Sequence, residues 1–490
     1  MSATAFRAHR DAWVAREETA EALIPMIGGL YRDHGVITSI HGHRLINLSA
    51  TEVIAVHERA RELGHDELTL AESATVLEAL REIGPAPASV DIARLATTLR
   101  EVGTDANAVA HVQWELDKVP PRLGKWDGTD VVLYGFGRIG RLVARILISH
   151  SGNGRGIQLR AIVVRRGSDN DLKKRASLLA RDSVHGPFAG SVTVDPHEDV
   201  LIANGTRIQV IYSDDPSGID YTAYGIDNAI IVDNTGIWRD EAGLTRHLES
   251  PGAARVLLTA PAKSPLKNVV HGVNDDTISP DDRIVSAASC TTNAITPVLA
   301  ALDEAYGVVR GHVETVHSFT NDQNLTDNFH KGDRRGRSAV LNMVITETGA
   351  ATAVAKALPR LEGKLTGSSI RVPTPDVSLA ILNLTLERST TREEIGEYLR
   401  QTALHSRLRQ QIDYVESAEV VSTDFVGSHR AGIVDGLATI VDGKNIVLYV
   451  WYDNEFGYSC QVVRVLERMA GTHAVVIPAR ADLSFTSVAG

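Results

Sequence analysis

One stretch limits the choice of fold more than any other: "VVLYGFGRIGRLVARIL", an apolar β-branched run that stops at Gly135, Gly137 and Gly140 and continues in a helical pattern. A strand that turns through glycine directly into a helix opens a βαβ unit, and such units build parallel sheets covered by helices. Gly135 permits the tight turn, Gly137 leaves room for backbone to approach a pyrophosphate, and Gly140 lets helix and strand pack closely. Arg138 and Ile139 lie inside the turn, and the helix start adds free amides for an anion. The plainer reading of the same spacing is a tight βα turn that holds nothing.

At 490 residues the chain is too long for a single core. Beyond "DKVPPRLGKWDGTD", where Pro120, Pro121 and Gly124 interrupt helical periodicity, short apolar runs alternate with helical patterns, and a boundary is expected near Trp126. Longer β-like runs follow, such as "RGHVETVHSF" and "NIVLYVWYD". The fold expected is α/β and α+β: a helical N-terminal domain (1–125), a doubly wound domain (128–289) completed by a last helix (457–471), a domain with a mixed, mostly antiparallel sheet (290–456), and a tail (472–490). In the first domain Ala22, Leu23, Met26, Ile27 and Leu30 recur at helical spacing, and Ser49 or Thr51 caps an amphipathic helix ending near Gly64.

A net charge of -11 argues against delocalised binding to nucleic acid or anionic lipid. Cys290 and Cys460 are the only thiols, too few for a disulfide framework or a thiolate metal site, so a reducing, cytoplasmic setting is expected. The N-terminus lacks the apolar core of a secretion signal, and no run approaches the ~18 apolar residues of a membrane span.

The second strand of the doubly wound domain ends "AIVVRRGSDND". An acid that accepts the ribose hydroxyls of NAD usually stands there; Arg165 and Arg166 take its place, and a guanidinium attracts the 2'-phosphate that a carboxylate repels. The alternative is two solvated loop charges. Cys290, in "SAASCTTN", falls where a strand yields to a helix, and the positive end of a helix favours thiolate. His317 stands at a strand end, within possible reach. His41, His43, His57 and His65 match no familiar metal spacing, no metal site is expected, and Cys460 reads as a core residue.

"GFGRIGR", "SCTTN", "TVHSFTNDQ", "RRGR", "TGAATAV", "RVPTP" and "WYDNEFGYS" occur in the order and approximate spacing of the motifs of one family: the chain resembles phosphorylating glyceraldehyde-3-phosphate dehydrogenase over residues 130–468. The resemblance implies that Cys290 is the nucleophile and His317 its base. It implies that Thr320 and Arg371 hold the C3 phosphate of glyceraldehyde 3-phosphate. Ser289, Thr291, Arg335, Thr348 and Gly349 would hold the attacking inorganic phosphate. Asn454 would fix the nicotinamide carboxamide, while Thr235 and Gly236 line the cofactor cleft. It further implies a homotetramer.

The chain departs from the family at Ala294, where many members have a second cysteine, at Arg166, and at Asn328-Phe329, where NAD-specific members carry Leu-Pro. The last two point to NADP beside NAD, and thus to the reductive, sugar-building direction. Two other functions stand against this one. Erythrose-4-phosphate dehydrogenase uses a similar Cys-His pair but needs the attacking-phosphate site less. A regulatory or scaffolding protein would act through the N-terminal segment, for which no partner is assigned.

Overall fold

The strand Thr129–Tyr134 lies inside an eight-stranded sheet in the computed structural model, which describes residues 3–64, 68–103, 107–118, 128–150, 156–263, 265–332, 334–346, 348–472 and 475–478. The linker prolines, Gly124, Trp126 and His65 lie outside the described residues. The chain divides into two compact units, Asp127–Thr472 and Met1–Trp126 with His473–Gly490.

In the larger unit, Thr129–Tyr134 has parallel neighbours on both sides, Ile157–Val164 and Ala229–Asp233. Strand order therefore reverses beside the glycine turn, which opens a crevice at the carboxyl ends of the strands. Val131, Val132, Leu133, Ile162, Val163 and Val232 are fully buried or nearly so, as strands covered on both faces require. The helix Arg138–His150 covers one face, and Phe456–Met469 joins the same core through Val462, Val463, Val465 and Leu466. Cys460 is buried there.

A second eight-stranded sheet carries the strands Val308–Ser318, Leu365–Val372, Ser378–Leu386 and Asn445–Tyr452. Val308–Ser318 runs parallel to Leu365–Val372 and antiparallel to Ser378–Leu386, so the sheet is mixed. The helix Cys290–Tyr306 follows the last strand of the first sheet, Ile284–Ser286, and is buried over most of its length.

The smaller unit holds the helices Ala3–His34, Ala50–Gly64, Leu70–Ile83, Ile92–Val102 and Ala108–Asp117. Ser49 caps the second of them, exchanging hydrogen bonds with Glu52. Thr69 and Glu72 form a reciprocal capping box at the third, which ends at left-handed Gly84 (φ 61°). A four-stranded sheet accompanies these helices, in the order His43–Arg44, Ile37–Ile40, Ala88–Asp91, Val475–Ile477. Helices alone were expected here and only a tail at 472–490. Strands of two to four residues present too few alternations for a period-two pattern to emerge. His57 is buried and structural: Nδ1 lies 2.7 Å from the Val53 carbonyl and Nε2 2.8 Å from Ser73 Oγ, and burial lowers its basicity.

Candidate active site

Ser289 is the N-cap of the helix Cys290–Tyr306, its Oγ accepting the Thr292 amide at 3.0 Å, so Cys290 occupies the first helical position. Asn293 locks the turn by donating to the Ala287 and Ser289 carbonyls at 2.8 and 2.9 Å. His317, buried near the end of Val308–Ser318, is the register partner of Arg371 on the neighbouring strand. Cys290 Sγ stands 3.5 Å from His317 Nε2. Behind the ring, Arg371 Nη1 donates to the Ser318 carbonyl at 2.9 Å and lies 2.5 Å from His317 Nδ1. Sequence placed a thiol and an imidazole at two element ends; the second sheet brings both to one point.

The electrostatics depart from the sequence expectation. Burial pushes the Cys290 thiol up, opposed by the Arg371 guanidinium and by the Thr291 amide and hydroxyl. Burial and then Arg371 lower the His317 imidazole to about 3. An ordinary thiol at ~8.5 and an imidazole at about 3 are already more than ~5 pH units apart, which sets about 7 kcal/mol against moving the proton from sulfur to nitrogen. The attraction of the resulting ion pair at 3.5 Å returns about 5 kcal/mol at an effective dielectric of ~20. The helix end adds at most ~2 kcal/mol, so with an ordinary thiol the two forms would balance; burial, which raises the Cys290 thiol above its ordinary value, tips the unliganded site toward a thiol beside a neutral imidazole. The macrodipole is present and is outweighed by burial.

The phosphate candidates divide. Thr320 and Arg335 meet at one carboxylate, Asp322, which accepts from the hydroxyl of the first and the guanidinium of the second. Arg335 also lies 3.5 Å from Thr346 Oγ1. Gly349 caps the helix Ala350–Ala357, and Thr348 Oγ1 accepts the Ala350 amide at 3.2 Å. Thr291 is buried, with its Oγ1 2.9 Å from Tyr452 Oη, while the Ser289 hydroxyl is engaged as a cap. Asp322 and Tyr452 lie inside the motifs "TVHSFTNDQ" and "WYDNEFGYS", but neither was given a role from sequence.

At the glycine turn, Gly135 has φ 94°, and a side chain at Gly140 would meet the Gly135 carbonyl at 2.5 Å. A side chain at Gly137 would meet nothing within 4 Å, so this glycine faces open space rather than a neighbour. The crevice is a cavity of about 960 Å³ bordered by Gly135, Gly137, Arg165, Arg166 and Thr235. Its open turn and the free helix amides beyond it fit a dinucleotide. Arg138, Ile139, Gly140, Gly236 and Asn454 do not border it. The Arg138 guanidinium is turned to Glu455 and Asp182. Thr235 donates through its amide and hydroxyl to Asp233, each at 2.7 Å.

Residues 129–241 match the family model for the NAD binding domain of glyceraldehyde 3-phosphate dehydrogenase, and residues 289–454 that for its C-terminal domain. The chain is 61% identical over 460 residues to a glyceraldehyde-3-phosphate dehydrogenase-like protein of Pseudomonas aeruginosa, covering 93% of this chain and 100% of that one. It is 41% identical over 347 residues to the glyceraldehyde-3-phosphate dehydrogenase of Zymomonas mobilis, with 70% and 98% covered. The chain belongs to the glyceraldehyde-3-phosphate dehydrogenase family. It is an NAD-dependent dehydrogenase of the phosphorylating kind. The match to the Pseudomonas relative is far longer than the Asp127–Thr472 unit and so takes in much of the N-terminal segment, whereas the Zymomonas match is about the size of that unit alone.

Family motifs also draw together a buried group that sequence did not single out. His185 Nε2 lies 3.3 Å from Asp376 and 3.2 Å from Glu455, and the three could together face one cation. The Arg138 guanidinium already supplies positive charge at Glu455. Asp376, whose oxygens find no hydrogen-bond donor, is pushed up to about 9 by burial and by the charges of Asp453 and Glu455.

Proposed function

We propose that the chain oxidises glyceraldehyde 3-phosphate to 1,3-bisphosphoglycerate with inorganic phosphate, reversibly, and that it accepts NADP beside NAD. The observation that carries this reading is the 3.5 Å contact between Cys290 Sγ and His317 Nε2, with Arg371 against the far side of the ring. An Nδ1 that accepts from Arg371 leaves the ring proton on Nε2, facing sulfur. A substrate phosphate that draws the guanidinium away frees Nδ1 to donate to the Ser318 carbonyl, 2.7 Å off. Nε2 is then a base for the thiol.

The sulfur adds to the aldehyde carbon as His317 takes its proton, and His317 returns that proton to the carbonyl oxygen to give a thiohemiacetal. The bound nicotinamide supplies a hydride acceptor. As the C–H electron pair leaves, His317 takes the hydroxyl proton and a thioester remains on Cys290. A phosphate oxygen attacks the thioester carbon, the C–S bond breaks, and the sulfur leaves with its electron pair and is reprotonated from His317. Arg335, Thr348 and the Gly349 helix start stand ready for that phosphate, and Asp322 must release Arg335 to it.

Three observations support NADP use. Arg165 is exposed, borders the cleft, and has no ionic or hydrogen-bond partner for its guanidinium among the described residues. Arg166 is placed over the Tyr212 ring at 3.7 Å and paired with Asp199 at 3.2 Å. Asp171, at the start of the following helix, is taken by Arg175 and by the Gly167 amide at 2.9 Å, so it is not free for ribose hydroxyls. Asp214 borders the same cavity and is the counterweight. Exposed Phe329, Leu341, Met343 and Ile345 support burial of this region between subunits of a homotetramer.

Steady-state assays with glyceraldehyde 3-phosphate, varying phosphate and each cofactor, test the whole reading. Turnover independent of phosphate would overturn the phosphorylating step, and no turnover with NADP would overturn its use. Erythrose 4-phosphate as the better substrate would shift the assignment of the aldehyde. Mass photometry reads the oligomer.

A further inference from the structure

We infer that Ser378 is a positioning residue that fixes the amide of Asn454, and through it the face of the nicotinamide that receives hydride. The inference rests on the proposed role of Asn454 as holder of the carboxamide. Ser378 opens the strand Ser378–Leu386 and is 1% exposed. Its Oγ donates to Asn454 Oδ1 at 2.6 Å and accepts the Ser318 amide at 3.1 Å. Ser318 directly follows His317, and its own Oγ donates to the Val377 carbonyl at 2.8 Å. One hydroxyl thus joins the strand end bearing the imidazole to the side chain assigned to the nicotinamide.

The chemistry of the hydroxyl sets the orientation of the amide. Ser378 Oγ already receives a backbone N–H, and its single hydrogen needs an acceptor. Of the two ends of the Asn454 amide only the oxygen can serve, so Oδ1 faces Ser378. Nδ2 is left with no hydrogen-bond partner among the described residues although Asn454 is 6% exposed. A nearly buried donor held free in this way matches a carbonyl acceptor on a ligand. Val377, at φ 62°, holds a backbone conformation that β-branched residues rarely adopt. Such strain persists where the surroundings over-determine it, and here it aims the next residue, Ser378, between the two partners.

The test is Ser378→Ala beside Asn454→Ala, assayed with aldehyde deuterated at C1 and with the reduced cofactor examined by proton NMR. The wild type gives one diastereomer at nicotinamide C4. Loss of one hydrogen bond of this kind is about a factor of ten, so Ser378→Ala should raise the other diastereomer to about one part in ten and KM for the cofactor about tenfold, with KM for the aldehyde within about twofold. The double variant should be no worse than Asn454→Ala. If Asn454→Ala leaves stereochemistry and cofactor KM unchanged, the assignment of Asn454 fails. If Asn454→Ala moves both and Ser378→Ala moves neither, the role of Ser378 is overturned. Should Ser378→Ala not fold, Ser378→Thr, which keeps the hydroxyl, is compared with Ser378→Cys, a weaker donor. A single diastereomer from Thr with a mixture from Cys supports the inference, and equal behaviour overturns it.

Discussion

The two ends of the active cleft are built on opposite physical terms. At the thiol end, His317, Thr291, Tyr452, Ser378 and Asn454 are buried and joined by short hydrogen bonds. At the adenosine end, Arg165 and Arg166 stand exposed on a loop. Burial makes each neighbour decisive: one guanidinium behind a ring changes which nitrogen carries the proton. Exposure leaves only net charge, weakened by water and salt. Packing thus fixes the arrangement of groups at one end, and at the other the proposed bias in cofactor choice rests on exposed charge that single substitutions can change.

The comparison can be broken first at sulfur. Cys290→Ser is expected to lower kcat at least about a thousandfold, since a hydroxyl is a far weaker nucleophile than a thiol in the same place; retention of a tenth of wild-type turnover would end the nucleophile assignment. His317→Gln should cost about a hundredfold to a thousandfold in kcat, the usual worth of a positioned base, with aldehyde KM little changed.

A sharper test is the pH dependence of Cys290 alkylation without substrate. The fold favours the neutral thiol, so thiolate forms only as pH rises through a value above the ordinary ~8.5, and reactivity should still be climbing there. A plateau already reached near neutrality would show that helix dipole and guanidinium outweigh burial after all.

At the exposed end the effects shrink. Arg165→Ala should lower the NADP-to-NAD ratio of kcat/KM about tenfold, the loss of one charge-assisted contact, and Arg166→Ala less, because that guanidinium is already shared with Asp199 and Tyr212. The smallest expected change is with salt. Going from ~0.05 to ~0.5 M should lower the NADP-to-NAD ratio of kcat/KM a few-fold by screening and leave the alkylation profile nearly unmoved.

Much of this was legible from sequence where a local pattern carries the physics. The strand, glycine turn and helix at Gly135 to Gly140 could be read because a tight turn and close packing each demand glycine at fixed spacing. The place of Cys290 at a helix start could be read because a strand-like run, "RIVSAAS", ends just before it and a helical pattern follows. The small sheet of the N-terminal unit could not be, since its fourth strand, Val475–Ile477, pairs with Ala88–Asp91 across almost the whole chain. Arg138 shows the same limit: a residue inside the glycine motif spends its side chain on Glu455, more than 300 positions away.

Sequence by itself determined the parallel-sheet architecture, the place of Cys290 at a helix start and the charge at the second strand's end, because each depends on residues a few positions apart. Only the tertiary structure decided the proton's resting place, the pairing of Thr320 with Arg335 through Asp322, and the hub at Ser378. Those depend on burial and on contacts between strands remote in sequence, and desolvation is a property of the folded surroundings rather than of any residue's neighbours along the chain.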